Sequence, residues 1–193
     1  KIAFLTGHIA LENVKKFVTI DNLIAKTKKL NSSLIKDFGI RSPKIAVLGL
    51  NPHAGENGLL GNEEDECIVP AIKLLKEEKI LAFGPYPADS FFTSKNLRNF
   101  DGILSMYHDQ GLTAFKTLSF SDGVNFTAGL NIVRTSPVHG TAYEIAGKGV
   151  ADETSFREAI FLGCNIHKKR IEFDLLNKNP LAFNSKREPN RAK

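Results

Sequence analysis

Residues 45–50, Ile45-Ala46-Val47-Leu48-Gly49-Leu50, are apolar at nearly every position, and Asn51-Pro52-His53-Ala54-Gly55-Glu56 follows at once. A continuous apolar run of this length, set off by Pro43, reads as a strand covered on both faces, the pattern of a parallel sheet. The switch to a polar, glycine-bearing stretch places an imidazole where strand gives way to loop. In open α/β sheets that edge is where ligands bind.

The same arrangement occurs twice more. Residues 1–5, Lys1-Ile2-Ala3-Phe4-Leu5, lead to Thr6-Gly7-His8, and an apolar stretch over 100–107 leads to His108-Asp109-Gln110-Gly111. Three neutral imidazoles form a ligand set suited to Zn, Co, Ni or Fe, with positions left open for substrate. An isolated histidine after a strand is more often a cap or a surface residue. Three of the five histidines share this context, yet their spacings of 45 and 55 residues match no compact zinc motif. The residues alone leave both readings open.

Working outward, a short helix is expected over 11–18. A longer one follows, with Asp21 as its cap, Leu23, Leu30, Leu34 and Phe38 as its apolar face and Gly39 as its stop. Asn62 opens a helix whose acidic start, Glu63-Glu64-Asp65-Glu66, suits the helix dipole better than metal binding. Ile68, Ile72 and Leu75 line it. A strand over 80–83 runs into a turn at Gly84-Pro85-Tyr86-Pro87. Stretches 124–127 and 130–135, separated by Gly129, read as two adjacent short strands or one interrupted strand. Helices are expected over 140–146 and 154–166. Strands alternating with helices predict a layered α/β architecture.

The chain has 193 residues, with 42% hydrophobic and 24% charged, ordinary values for a globular protein. No apolar run approaches the roughly 20 residues that span a bilayer. It begins at Lys1 with what reads as an internal strand, and Met106 is the only methionine, so the sequence reads as starting inside a longer protein. Cys67 and Cys164 form no CxxC pair and read as reduced, partly buried thiols of a cytoplasmic protein. The net charge of +5 resides wholly in residues 167–193, which hold eight Lys/Arg and three Asp/Glu. This divides the chain into an α/β region, 1–166, and a basic C-terminal extension, 167–193. No aromatic-rich basic stripe accompanies the extension, which argues against nucleic acid as partner.

Other residues carry chemistry. Asp89 and Asp109 can orient a metal-bound imidazole or relay a proton, with a helix N-cap as the bland alternative for Asp89. Lys116, Asn125 and Arg134 are the candidate anion binders; Arg134 directly follows the apolar run Leu130-Asn131-Ile132-Val133. Thr135-Ser136-Pro137-Val138-His139-Gly140-Thr141-Ala142 reads as a helix opening, whose small residues would let backbone amides approach a phosphate. Neither GxGxxG nor GxxxxGK[ST] is present.

Taken together, NPHAGE, GPYPADS, MYHDQGL, VNFTAGL and RTSPVHGTAYEIAGKG resemble the 4-hydroxythreonine-4-phosphate dehydrogenase family of pyridoxal phosphate biosynthesis, from about Lys1 to Ile166. The HGTA…AGKG segment is also similar to the adenine-binding loop of isopropylmalate and isocitrate dehydrogenases. The resemblance implies one and a part lobes of that fold, in a homodimer with a shared active-site cleft. It implies a divalent metal (Zn, Co or Mg) held by His8 of one subunit and His53 and His108 of the other. Asp89 and Asp109 would stand near the metal, with Asp109 or a water as general base. Lys116, Asn125 and Arg134 would hold the phosphorylated substrate, Lys116 also neutralising charge at the reacting centre. NAD or NADP would lodge against His139, Gly140, Thr141 and Ala142.

The implied reaction oxidises 4-phosphooxy-L-threonine and decarboxylates the product to 3-amino-2-oxopropyl phosphate, with no nucleic acid or membrane involved. Two alternatives share these residues: a dehydrogenase of threonate or erythronate phosphate, or an inactive metal-binding dimerisation lobe. Ser90, Asn131 and Pro137-Val138-His139 depart from the family, which usually has Thr, Pro and Val-Asp-His there. Glu144 stands where the superfamily often has an Asp facing the ribose, which favours NAD. Family members exceed 300 residues, and their N-terminal portion, with a His-Thr pair that contacts substrate, has no counterpart here.

Overall fold

Ile45, Ala46, Val47 and Leu48 are each at most 1% exposed, as a strand covered on both faces requires. The structure, a computed structural model, describes residues 1–119, 121–138 and 140–181. In chain order the elements are β1 (Ile2–Phe4), α1 (Leu11–Phe17), α2 (Ile20–Lys36), β2 (Lys44–Leu48), α3 (Val69–Glu77), β3 (Leu81–Tyr86), α4 (Ala88–Phe91), α5 (Ser94–Asn99), β4 (Gly102–Ser105), α6 (His108–Leu118), β5 (Val124–Phe126), β6 (Thr135–Pro137) and α7 (Thr154–Leu176). Strands β1–β4 form one parallel sheet in the order β1-β4-β2-β3.

The period of two sorts the strand residues between two apolar layers. Ile45, Val47 and Leu104 pack with Leu23 and Leu34 of α2 and Ala71, Ile72 and Leu75 of α3. Ala46, Leu48 and Ile103 face the other way, onto Phe91 with Tyr86 and Phe100 beside it. Each fully buried aliphatic side chain contributes about 1.5–3 kcal/mol, so the two layers dominate the energetics of this sheet. The parallel α/β layering expected from the sequence is therefore present, as are the expected strands at 1–5 and 45–50 in shortened form.

Beyond the sheet, β5 and β6 pair as an antiparallel ribbon with Asn125 opposite Ser136 and Phe126 opposite Thr135. The ribbon lies on α7 through Ser155 Oγ donating to Gly123 O (2.9 Å) and Thr135 Oγ1 donating to Ala159 O (2.9 Å). Helix α7 is tied to α2 by Arg170 Nε and Asp37 Oδ1, 2.7 Å apart. No described helix is long and apolar enough to cross a membrane.

Several expectations are corrected. The cap of α2 is Thr19, whose side chain accepts from the Asn22 amide at 3.3 Å; Asp21 sits in the first turn, favourable to the dipole. Strand β3 continues through Gly84 and Pro85 to Tyr86, because edge pairing with β2 persists past the expected turn. The strand expected over 130–135 begins only at Thr135, with Ile132 69% exposed. The helix expected over 140–146 is a single 3-10 turn, Tyr143–Ile145. Ala142 before it is left-handed (φ 49°), and Gly147 and Gly149 after it have φ 75° and 66°. Helix α7 passes Ile166 and takes in the first ten residues of the basic stretch. Cys164 is exposed rather than partly buried. Helices α5 and α6 were not foreseen; Asp109-Gln110-Gly111 reads as a loop until Gly111 is seen to let α6 close on the sheet, where a Cβ would lie 2.6 Å from Ile2 Cδ1 and Ser105 Oγ.

Candidate active site

All three sequence-predicted histidines leave the carboxyl edge of the parallel sheet. After β1 the ladder persists for two more residues, with Leu5 N donating to Ser105 O (2.8 Å) and Thr6 Oγ1 to Met106 O (2.8 Å). This delivers His8 beside His108, the first residue of α6, with ring centroids 5.3 Å apart and tilted by 45°. Phe4 backs His108 at 5.8 Å. The Nδ1 of His108 lies 2.6 Å from Asp109 Oδ1, which leaves Nε2 as the free donor atom.

This pair suits a metal. Two imidazoles bound through nitrogen to one tetrahedral ion would have ring centroids about 5 Å apart, and a carboxylate on the second ring nitrogen is the usual orienting partner of a ligating histidine. Among the described residues, however, no group of three or more His, Cys, Asp or Glu side chains is gathered to hold an ion. The resemblance grouped His108 with His53; within this chain its neighbour is His8.

His53 stands beyond β2, the next strand after β4, in an unusual backbone. His53, Ala54, Gly55, Glu56, Asn57 and Gly58 have φ of 53°, 52°, 84°, 45°, 55° and 87°. Each non-glycine residue held there costs about 1–2 kcal/mol, and such outliers persist only when their surroundings over-determine them. Part of the restraint is local: Glu56 N donates to His53 O (3.3 Å) and Leu60 N to Gly55 O (3.0 Å). The rest comes from the π turn Glu64–Ile68 that leads into α3. Glu64 Oε1 accepts from the amides of Leu50 (2.7 Å) and Asn51 (2.8 Å), and Oε2 accepts from Asn51 Nδ2 (2.8 Å). Glu63 Oε2 accepts from the same Asn51 amide at 2.7 Å and pairs with Lys15 through Oε1.

Sequence reasoning assigned Glu63 and Glu64 to the helix dipole and passed over Gln110. The side chains of the two glutamates are instead buried against the loop. Gln110 joins the strand ends: Oε1 accepts from Met106 N (2.7 Å) and Nε2 donates to Gly49 O (2.7 Å). The signal was the pair of acidic residues a short loop after a strand end, which the dipole argument absorbed.

The Lys15 ammonium, and then the Asn51 amide, hold the Glu63 carboxyl down to about 2. Because the folded value lies below the ordinary one of 4.5, its contribution to stability is complete above about pH 4.5 and is lost as pH falls through about 2. Glu63→Gln is therefore expected to flatten the acid limb of stability in that window; urea midpoints from pH 6 to 2 check this, and an unchanged limb would contradict it.

Asp89 lies exposed in the first turn of α4, which has Pro87 as its cap, so the capping alternative is not what it does. Helix α4 packs on the Pro52–Gly55 turn, which brings Asp89 to the neighbourhood of His53. Thr127 N donates to Arg134 O (3.1 Å) and Arg134 Nη1 to Thr127 Oγ1 (3.0 Å), so these two residues continue the ribbon ladder. Alternation then places Arg134 and Asn125 on one face as diagonal neighbours. Lys116 is exposed in the last turn of α6, whose Phe115 and Ser119 lie against Gly123 at the start of β5. The three anion binders thus occupy adjoining elements.

Of the cofactor segment, His139 lies outside the described residues. Thr141 and Glu144 are exposed and Ala142 is half-buried. Among the described residues the segment leads only into the 3-10 turn Tyr143–Ile145, in place of the expected helix N-terminus.

A sequence profile of the pyridoxal phosphate biosynthetic protein PdxA matches residues 1–163. The 4-hydroxythreonine-4-phosphate dehydrogenase of Bacteroides thetaiotaomicron is 51% identical over 181 residues, 94% of this chain and 50% of that protein. That of Prosthecochloris aestuarii is 47% identical over 170 residues, 88% and 50%. The crystal structure of the Klebsiella pneumoniae 4-hydroxythreonine-4-phosphate dehydrogenase superposes with a TM-score of 0.75 at 36% identity, covering 86% of this chain and 50% of that one. A terephthalate 1,2-cis-dihydrodiol dehydrogenase from Burkholderia xenovorans follows at 0.67 and 27%, covering 85% and 52%. The chain spans about half the length of the curated relatives it matches. With the profile matching most of its residues and the sheet-edge histidines in their motifs, this chain belongs to the PdxA family.

Proposed function

We propose that the protein to which these residues belong is a nicotinamide-dependent 4-hydroxythreonine-4-phosphate dehydrogenase. In this reading it oxidises 4-phosphooxy-L-threonine with NAD or NADP and releases carbon dioxide to give 3-amino-2-oxopropyl phosphate, in pyridoxal phosphate biosynthesis in the cytoplasm. The observation that carries this is the His8–His108 pair, with Asp109 on the far nitrogen of His108, at the carboxyl edge of a parallel sheet in a PdxA-family chain. In this reading the parallel sheet and its helices are part of an isocitrate dehydrogenase-like fold.

A divalent Zn, Co or Mg ion would be held by His8, His53 and His108 across a dimer interface; the contact of His8 with His108 within one chain favours His53 as the ligand from the second copy, in place of the His8 that the resemblance implied. Bound there, such an ion acidifies a hydroxyl and stabilises developing negative charge on oxygen. The nicotinamide supplies the hydride acceptor. This chain's residues do the remainder. Asp109 fixes the ring plane of His108 and its tautomer from the far nitrogen, which favours water, the other candidate base, for the hydroxyl proton. Arg134 and Asn125, on one face of the ribbon, hold the phosphate, and Lys116 offsets charge near the reacting centre. Thr141, Ala142 and Glu144 border the adenosine end of the cofactor, with Asp89 acting on the His53 side.

The test is a kinetic comparison on a protein of the relatives' full length. It should form NAD(P)H with 4-phosphooxy-L-threonine in preference to threonate or erythronate phosphate. Arg134→Ala should raise KM at least tenfold, roughly the loss of one charge-assisted contact of 1.5–3 kcal/mol. Preference for one of the other phosphates would replace the substrate; an unchanged KM would remove Arg134 from its role.

A further inference from the structure

We propose that Glu64 is the positioning residue for His53: its buried carboxylate sets the hand of the backbone that carries the imidazole. The inference rests on the metal-site reading above and deepens it. Glu64 is 2% exposed and has no cation of its own among the described contacts. Its charge is satisfied by three donors that belong to two residues just beyond the end of β2, Leu50 N, Asn51 N and Asn51 Nδ2. A carboxylate accepting several backbone amides aims the chain that offers them, because each acceptor lone pair fixes the direction of one N–H.

Space enforces the same choice. A Cβ on Gly55 would lie 2.8 Å from Glu64 Oε2, and one on Gly49 would lie 3.0 Å from Glu64 Oε1 and 2.9 Å from Ala54 Cα. The carboxylate therefore lies inside the curve formed by residues 49–55, against Gly49 before the left-handed run and Gly55 within it. Local hydrogen bonds alone would be formed as well by a right-handed turn, which L-residues prefer. What the carboxylate adds is a fixed start: the Leu50 and Asn51 amides reach one oxygen just before the left-handed run, and Gly55 within the run lies against the other. The π turn at Glu64–Ile68 fits this account, since an inserted residue in a helix re-aims the side chains at its start and is frequent at functional sites.

The experiment uses a protein of the relatives' full length carrying these residues, with Glu64→Gln, and Glu66→Gln as an exposed control. Glutamine keeps the size and one acceptor oxygen but turns an NH2 toward Asn51 Nδ2. Two readouts are taken: backbone amide exchange in the metal-free protein, and Co(II) binding followed by its visible absorption. In E64Q, amides of residues 53–60 should exchange at least tenfold faster while those of 45–48 keep their protection, and Co(II) affinity should fall about 10- to 100-fold, as when an orienting partner is lost. E66Q should match the wild type in both. Unchanged exchange over 53–60 in E64Q overturns the proposal, and so does equal loss of protection over 45–48, which would make Glu64 an ordinary core residue. If E64Q does not fold, Glu64→Asp, which keeps the charge but cannot reach all three donors, is read by the same criteria. Absence of Co(II) binding by the wild type would sink the metal reading, while the exchange result would still decide the role of Glu64.

Discussion

These 193 residues alone are expected to reduce NAD(P) at least a thousandfold more slowly than a protein of the relatives' full length. Holding two reactants in a near-attack geometry and excluding water are together worth about 7 kcal/mol or more. Here the groups assigned to the chemistry stand open to solvent: His8 and His53 are exposed, His108 retains 36% of its side-chain surface and Asp109 83%. They can bind a metal and an anion, which fixes one reactant only. The matched relatives are about twice as long, so half their mass is available to close over this edge. NAD(P)H formation at saturating 4-phosphooxy-L-threonine and metal checks this; turnover by the short chain at the full-length rate would show that the reacting groups were misplaced.

The second large effect concerns the fold. Asp37 is 4% exposed; its Oδ1 meets Arg170 Nε at 2.7 Å and its Oδ2 accepts from Ser33 Oγ at 2.7 Å. Arg170 also donates from Nη1 to Leu130 O at 3.0 Å, so one guanidinium ties α2, α7 and the stretch before β6 together. Asp37→Ala leaves that cation largely buried without its counter-charge, which costs about 3–5 kcal/mol. The urea midpoint should fall accordingly, with the ribbon and its Arg134 loosening first. Because replacing both members of such a pair is far cheaper than removing one, Asp37→Leu with Arg170→Met should recover much of the loss. A single variant within about 1 kcal/mol of wild type would mean the pair is hydrated and carries little.

Legibility in the sequence followed the range of the interactions. The run 45–50 was read correctly because continuous burial of β2 leaves its mark on every side chain. Leu23 and Leu34 were identifiable because a 3.6-residue period is local, and both are almost fully buried. The three histidines could be placed at strand ends, and the structure does bring His8 to His108. What sequence could not supply came from contacts across the chain. Helix α6 was hidden by Gly111, which is there to meet Ile2 and Ser105, more than a hundred residues and six residues away. The left-handed course of 53–58 depends on Glu64, whose acidic neighbours made it look like a dipole partner. The helix expected over 140–146 failed because capping residues were present but the glycines after them hold left-handed turns.

The central claim is that one divalent ion is held by His8 and His108 of one chain and His53 of its neighbour. It is tested most directly by mixing two crippled chains, His53→Ala and His108→Ala, each of which should bind Co(II) poorly alone. In a two-fold dimer, exchange of subunits places an intact His8–His108 pair opposite an intact His53 at one of the two sites of every mixed dimer, so about a quarter of the wild-type Co(II) capacity should return. No recovery on mixing, with subunit exchange shown to occur, would contradict this assignment and leave either His53 and His108 of one chain with His8 of its partner, as the resemblance implied, or a site within a single chain.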